Sequence, residues 1–327
     1  MVRLMLMIAG VLGLSLLGWA VDNVPPTSTA TVAPAPNANG WNNTGVTVTI
    51  TASDNPGGSG VQKIYYKLEP DGGVVEVNGT LAQVQINQEG IYTLEFWAED
   101  NNGNVETPHN SVEIKIDLTP PVVFVESPEE GAEYLLRQPV EAKWFAFDTL
   151  SGIETAEATT LSGEEILTEE PGFHVFVVRA RDKAGNETVV EVNYQVVYKI
   201  IPAGAQGTFV DNPLPPEART PKGKLPLLAR YIQGQLIEIA FVLKDYFDEI
   251  YPDGVPTLTV TEVKFEGGRE RHVIWSWLTI PYDPDEGVYR IYYPTAERKP
   301  GIYDLWLGFG DGTHVRIRVE VVPRAED

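Results

Sequence analysis

Alternating apolar and polar residues run through most of the chain in short stretches, separated by turn-forming residues. Val46 to Ser53 alternates and stops at Asp54, and Val140 to Phe147 repeats this pattern before Asp148. A period of two residues predicts β-strands with one buried face. Since no stretch after residue 20 keeps a helical period, we predict an all-β chain.

Longer motifs recur in a fixed order, which indicates repeated structural units. Residues 90–94 (GIYTL) precede 98–104 (AEDNNGN), and residues 172–176 (GFHVF) precede 180–186 (ARDKAGN). Residues 301–306 (GIYDLW) return to the first motif in a more divergent third unit. The sequence therefore predicts two closely related units followed by a third.

The first twenty residues have the composition of an export signal. Arg3 precedes an apolar run from Leu4 to Leu17, and small residues occupy Gly18 and Ala20. The apolar run is short for a membrane span, so we expect a signal peptide cleaved after Ala20, with an uncleaved anchor as the alternative.

Pro-rich segments separate the predicted units. Residues 118–121 and 200–226 contain prolines that lack N–H donors and favour extended backbone, so they would act as semi-rigid spacers. We predict three tandem immunoglobulin-like β-sandwiches, the third with a Pro-rich entry segment, at residues 21–118, 119–199 and 200–327.

The recurring Gly-x-Tyr-x-apolar motif specifies the type of sandwich. In immunoglobulin-type domains a tyrosine near the start of strand F pins a corner through its hydroxyl, two residues before a core cysteine. Tyr92 and Tyr303 occupy the tyrosine position, and His174 replaces it in the second unit while keeping a hydrogen-bond donor. The cysteine position is apolar in every unit: Leu94, Phe176 and Leu305.

Residues 22–199 resemble bacterial Ig-like repeats of exported and cell-surface proteins. The resemblance rests on the Pro-Pro openings, the GSGV loop, and the WAEDNNGN and RARDKAGN hairpins. The third unit resembles the C-terminal β-sandwich that often follows such repeats. These resemblances imply modules that space, display or adhere and do not catalyse.

The amino-acid composition limits the classes of partner and of chemistry that the chain can have. The formal net charge of −22 disfavours nucleic acids and anionic membrane surfaces, which need clustered Lys and Arg. The absence of cysteine removes thiol catalysis and Cys-based zinc sites. The four histidines are scattered outside any catalytic motif, and we predict that the chain is not an enzyme.

Calcium is the candidate cofactor, and no other is predicted. The B–C and F–G loops of this fold meet at one pole, which would bring Asp54 near Asp100 and Asp148 near Asp182. Asp117 in the following linker would approach the second pair. Hard oxygen donors at a domain joint suit calcium, whereas the alternative is that each aspartate caps its own turn.

Aromatic residues supply the candidate binding surface. Strand alternation points Trp97 away from the core, and Phe145 and Phe147 share parity with the polar Glu141 and Lys143. These side chains would stack on sugars or contact a protein, unless a neighbouring segment covers them. Trp275 and Trp277 lie two residues apart on one predicted strand face, which indicates either core or an aromatic platform, and we favour the core.

The preferred hypothesis is a secreted or cell-surface structural and adhesive protein built of Ig-like modules. A carbohydrate-binding or cell-wall-binding protein is the first alternative, and a non-catalytic subunit of a secreted assembly is the second. The expected partner is an extracellular protein or a polysaccharide, without nucleic acid and without an integral membrane span after signal cleavage.

Overall fold

The computed structural model describes residues 21–70, 72–214 and 225–325, and the predicted signal peptide lies outside them. Apart from a three-residue 3₁₀ turn at Ala205–Gly207, the regular structure of these residues is β-strand, which confirms the all-β prediction. None of it forms a helix with the length and apolarity needed to cross a membrane.

The chain divides into two compact units. The first contains the residues up to Pro120 together with the loops Thr149–Gly152 and Asp182–Asn186. The second contains the remaining residues after Pro120.

The first unit holds one sandwich of seven strands. They are β1 (Thr27–Ala33), β2 (Val46–Ser53), β3 (Val61–Glu69), β4 (Val75–Asn78), β5 (Leu81–Ile86), β6 (Gly90–Asp100) and β7 (Asn110–Ile116). One antiparallel sheet has the order β1-β2-β5 and the other has the order β4-β3-β6-β7. Alternate side chains of β2 and β6, including Val48, Ile50 and Leu94, meet in the buried core. This is an immunoglobulin-like arrangement.

The second unit begins with a smaller sandwich. Its strands are β8 (Val122–Ser127), β9 (Ala132–Leu135), β10 (Lys143–Phe147), β11 (Ile153–Ala158), β12 (Gly172–Asp182) and β13 (Glu187–Val197). Strands β10 and β8 pair as one sheet, and the other sheet has the order β11-β12-β13-β9. Strand β9 runs parallel to β13.

The second unit ends with a larger sandwich of nine strands. They are β14 (Lys199–Pro202), β15 (Leu227–Ile232), β16 (Leu236–Lys244), β17 (Thr257–Glu266), β18 (Arg269–Thr279), β19 (Tyr282–Asp283), β20 (Val288–Pro294), β21 (Gly301–Gly308) and β22 (His314–Val322). One sheet has the order β14-β16-β20-β19, and the other has the order β15-β22-β21-β17-β18. The chain thus forms tandem sandwiches, as predicted.

The predicted corner is present in all three sandwiches. The Tyr92 hydroxyl lies 3.3 Å from the Gln88 carbonyl oxygen, and the Tyr303 hydroxyl donates to the Lys299 carbonyl oxygen at 2.8 Å. His174 Nε2 lies 2.7 Å from the Glu170 carbonyl oxygen. Each corner residue therefore reaches the carbonyl four positions upstream, and the imidazole takes the place of a phenol in the second sandwich.

The segment that starts at residue 200 begins as a strand and not as the predicted Pro-rich connection. Strand β14 pairs with β16, and Tyr198 is the single residue between β13 and β14. A Pro-rich spacer therefore does not begin at residue 200, because apolar Ile200 and Ile201 continue the strand pattern and find a partner in β16.

Candidate functional site

A buried aspartate follows each corner residue by eight positions. These residues are Asp100, Asp182 and Asp311, and their side chains are shielded from solvent. Each caps the turn after it: Asp100 Oδ1 accepts the Asn102 and Asn104 N–H groups, and Asp311 Oδ1 accepts the Thr313 N–H. Asp311 was not predicted as a site residue, although the eight-residue spacing would have identified it.

Three carboxylates meet at one end of the first sandwich. Oxygens of Asp22, Asp54 and Asp100 lie within 4.8 Å of one another. Asp22 Oδ2 accepts the Ser59 N–H at 2.8 Å, and Asp54 Oδ2 accepts the Gly60 N–H at 2.7 Å. The structure therefore brings together the predicted pair of Asp54 and Asp100 and adds Asp22. The signal for Asp22 is its position three residues before a Pro-Pro pair, which Asp117 shares.

Asparagine side chains tie these aspartates to the incoming chain. Asn104 Nδ2 donates to Asp100 Oδ2 at 2.7 Å and to the Asp22 carbonyl oxygen at 3.0 Å. Asn186 Nδ2 donates to Asp182 Oδ2 at 2.8 Å and to the Asp117 carbonyl oxygen at 2.9 Å. The two repeats thus use the same hydrogen-bonding scheme at equivalent positions.

In the second repeat, Asp117 and Asp182 form the pair that corresponds to Asp22 and Asp100 in the first. Their carboxylate oxygens lie within 4.8 Å of each other, and Asp117 Oδ2 accepts the Ser151 N–H at 3.0 Å. Asp148 is half-buried directly after β10 and belongs to the second unit. Its part in a calcium site stays a prediction.

The Asp100 carboxylate is held in its ionised form. Burial acts to raise its pKa, but the hydrogen bonds that it accepts from Asn104 and Asn102 outweigh burial, so its pKa lies below the usual 3.8. At neutral pH the site therefore contains a buried anion that is compensated by neutral N–H dipoles.

The cluster of Asp22, Asp54 and Asp100 fits a cation in one respect, because the loop after Asp54 supplies further oxygen atoms. Asn55 Oδ1 and Ser59 Oγ belong to the loop that follows Asp54. Asn55 Oδ1 is buried without a hydrogen-bond partner, and the Ser59 hydroxyl helps to lower the pKa of Asp100. Together with the three carboxylates they would offer five oxygen donors, which approaches the number that calcium prefers. The alternative of turn capping is also present, since each aspartate accepts backbone N–H groups. Capping leaves further lone pairs on every carboxylate, so the two roles are compatible.

Calcium is expected to stabilise the first unit. A ligand that binds only the native state at tenfold its Kd adds about 1.4 kcal/mol, which raises the Tm of a small domain by about 5 °C. Thermal unfolding of the full chain in a chelator and then in calcium measures the change. Asp54→Asn is the matched variant and is expected to abolish it, whereas an unchanged Tm in wild-type protein would exclude the site.

Trp97 is covered and does not form an open platform. Its indole lies 3.8 Å from the His109 ring and 5.4 Å from the Tyr65 ring, nearly parallel to both. Since neighbouring rings occupy the faces of this indole, a sugar has no free face to stack on. Strands β3 and β6 place Tyr65 directly opposite Trp97, within the same sandwich. The binding role of Trp97 stays a prediction.

Phe145 and Phe147 lie on the surface of the second sandwich, 57% and 42% exposed. Phe145 stacks on Phe124 of the paired strand, with ring centroids 5.4 Å apart and planes 4° from parallel. The binding role of Phe145 and Phe147 stays a prediction.

The predicted core position of Trp275 and Trp277 is wrong. They are 42% and 66% exposed on the edge strand β18, where a bulge shifts the register between Ser276 and Ile274. The extra residue breaks the alternation. Trp275 therefore turns toward Glu262 and Arg298, whereas Trp277 lies opposite Thr259 on the other face.

No protein-family model and no curated protein matches the sequence. Among solved structures, fibronectin(III)-like modules of Clostridium thermocellum CbhA are 15% identical over 51% of this chain and 94% of theirs, with a TM-score of 0.27. A tetra-tandem repeat from the extending region of a large adhesion protein is 13% identical over 92% of this chain and 75% of that one, with a TM-score of 0.33. The Escherichia coli adhesin FdeC is 13% identical over 92% of this chain and 99% of that one, with a TM-score of 0.27. These similarities are too weak to inform function, and the immunoglobulin-like assignment rests on the strand pairings.

Proposed function

We propose that this chain is a non-catalytic structural and adhesive protein of the cell exterior, in which sandwiches space and display a binding surface. The export signal predicted from residues 1–20 supports an extracellular location. The acidic, cysteine-free composition suits a soluble scaffold whose domains depend on their apolar cores.

The joint inside the second unit is the observation that carries this proposal. Strand β13 passes into β14 through Tyr198 alone, and the Tyr198 N–H donates to Asp311 Oδ2 at 2.9 Å. Gln195 Nε2 donates to the Asp311 carbonyl oxygen at 2.7 Å. One continuous apolar cluster contains Val196 of the smaller sandwich and Leu243 of the larger one. A pulling force would therefore meet a shared core rather than a flexible linker.

Gly312 shows how closely the two sandwiches approach at this joint. Its backbone has a φ of +91°, in the region that favours glycine. A Cβ at this position would lie 2.7 Å from the Phe173 ring and 2.8 Å from Gln195 Nε2. The turn after β21 thus packs directly against β12 and β13.

Force spectroscopy on the full chain, held by its two ends, tests the proposal. We expect the two sandwiches of the second unit to unfold in one event, because they share a core. Asp311→Ala leaves the buried Tyr198 N–H without its acceptor and is expected to split this event into two. Asp285→Ala, at an exposed turn position, is the control and should leave a single event. Independent unfolding of the two sandwiches in wild-type protein would contradict a spacer role.

A further inference from the structure

The outer face of the five-stranded sheet in the larger sandwich is concave. Arg318 on β22 binds Glu270 on β18 through two parallel contacts of 2.7 and 2.9 Å. In a flat sheet with this register, their Cα atoms would lie about 19 Å apart, given the usual strand spacing and rise. Two extended side chains do not span that distance. The sheet therefore curls and brings the tip of the β17–β18 hairpin over β21 and β22.

The curled hairpin buries one end of this face. Arg318 is 3% exposed and also binds the buried Asp304 through Nε and Nη2, at 2.7 and 2.9 Å. The guanidinium of Arg318 lowers the pKa of Glu270 by donating to it. The two carboxylates therefore occupy four of the five N–H donors of Arg318.

The other end of the concave face stays open and carries a row of four side chains, one on each of four neighbouring strands. In register, Trp277 lies opposite Thr259, Thr259 opposite Trp306, and Trp306 opposite Arg316. We name this set the Trp277 row. Two strand spacings separate Trp277 from Trp306, a distance of about 10 Å.

The exposed groups of the Trp277 row suit a sugar better than an apolar protein surface. Trp277 is two-thirds exposed, so its indole offers the electron-rich face that polarised C–H groups of a pyranose ring contact. The half-buried Thr259 adds a hydroxyl beside it. The central part of a protein interface is depleted of charge, whereas this row ends in an arginine.

Arg316 determines the charge of the ligand. Its guanidinium lies 4.9 Å from the centre of the Trp306 ring, which holds it in place. The nearest carboxylate oxygen, on Asp304, is 4.0 Å away, and Arg318 already binds that carboxylate more closely. Arg316 thus keeps donors for a planar anion in a protein whose net charge is −22.

We propose that the concave outer face of the larger sandwich binds an extended polysaccharide that carries carboxylate groups. Trp277 stacks on one sugar ring, and Arg316 binds a carboxylate further along the chain. This inference rests on the proposed adhesive function and specifies its ligand class.

Isothermal titration of the full chain with polygalacturonate tests this inference. We expect saturable binding that Trp277→Ala weakens at least tenfold and that Arg316→Gln weakens to a similar extent. Phe247→Ala, which removes an exposed aromatic residue from the loop after β16, is the matched control and should bind as wild type does. A neutral β-linked glucan should bind at least tenfold more weakly than polygalacturonate. Equal Tm values for the wild type and the Trp277→Ala variant would confirm that the fold is intact.

Three outcomes would overturn the inference. Equal affinity for the neutral glucan would show that Arg316 does not bind a carboxylate of the ligand. Unchanged binding by Trp277→Ala would show that the ligand binds elsewhere. Absence of binding, together with a sedimenting dimer that Trp277→Ala dissociates, would assign the face to self-association. None of these outcomes changes the number of unfolding events under force, so failure of the ligand and failure of the spacer role are distinguishable.

Discussion

Replacing Arg318 by leucine is expected to destabilise the larger sandwich by about 3–5 kcal/mol, because removing one partner of a buried ion pair leaves an uncompensated charge. Asp304 and Glu270 would both lose the same guanidinium, although only Asp304 is fully buried. Asp304 is fully shielded from solvent and cannot recover its hydration without opening the hairpin. Equilibrium urea unfolding of the full chain measures the change in the free energy of unfolding of the second unit.

The matched control for Arg318 is Arg230. It pairs with Glu320 at 2.6 Å on the same sheet, but both side chains are substantially exposed. Exposed pairs contribute about 1 kcal/mol or less, so Arg230→Leu should have a small effect. Similar effects for the two variants would mean that the hairpin does not depend on the buried network.

Replacing Glu106 by alanine is expected to destabilise the first unit by about 2–4 kcal/mol, because two buried N–H donors lose their acceptor. Glu106 accepts the Ser28 N–H at 2.9 Å and the Ala98 N–H at 3.1 Å. It also accepts the Ser28 hydroxyl and the Asn110 amide. One buried carboxylate therefore joins the start of β1 to β6 and β7. Urea unfolding measures this loss of stability as a lower urea concentration at the unfolding midpoint of the first unit.

Glu113→Ala provides the comparison for Glu106. Glu113 lies on the exposed face of β7 and pairs with Lys115 at 2.8 Å, so its removal should change stability by less than about 1 kcal/mol. If Glu106→Ala behaved like Glu113→Ala, solvent would have to reach the Ser28 and Ala98 amides. Hydrogen exchange at these two amides distinguishes that case, since they should be protected in wild-type protein.

Local patterns in the sequence determined the strands and the corners. The alternation from Val46 to Ser53 requires one buried face, and it forms β2 as predicted. Tyr92, His174 and Tyr303 reach carbonyl groups only four residues away, so their role depends on short-range geometry. Such features follow from periodicity and from hydrogen bonds that close within a single turn.

Part of the candidate site was also predictable. Asp54 and Asp100 were placed at one pole because the immunoglobulin-like topology brings their loops together. Asp22 was missed because its participation depends on how the entering segment docks on those loops, through its bond to the Ser59 N–H. The unpartnered oxygen of Asn55 likewise arises from loop packing.

Tertiary structure alone decided the faces of the larger sandwich. A single bulge at Trp275 turned Trp277 outward, and strand alternation has no means of indicating where such an insertion falls. The curl that joins Glu270 to Arg318, and the bond from Tyr198 to Asp311, link residues 48 and 113 positions apart. Sequence periodicity reports which residues must be buried, but contacts between distant segments depend on sheet twist and docking, which only the folded chain specifies.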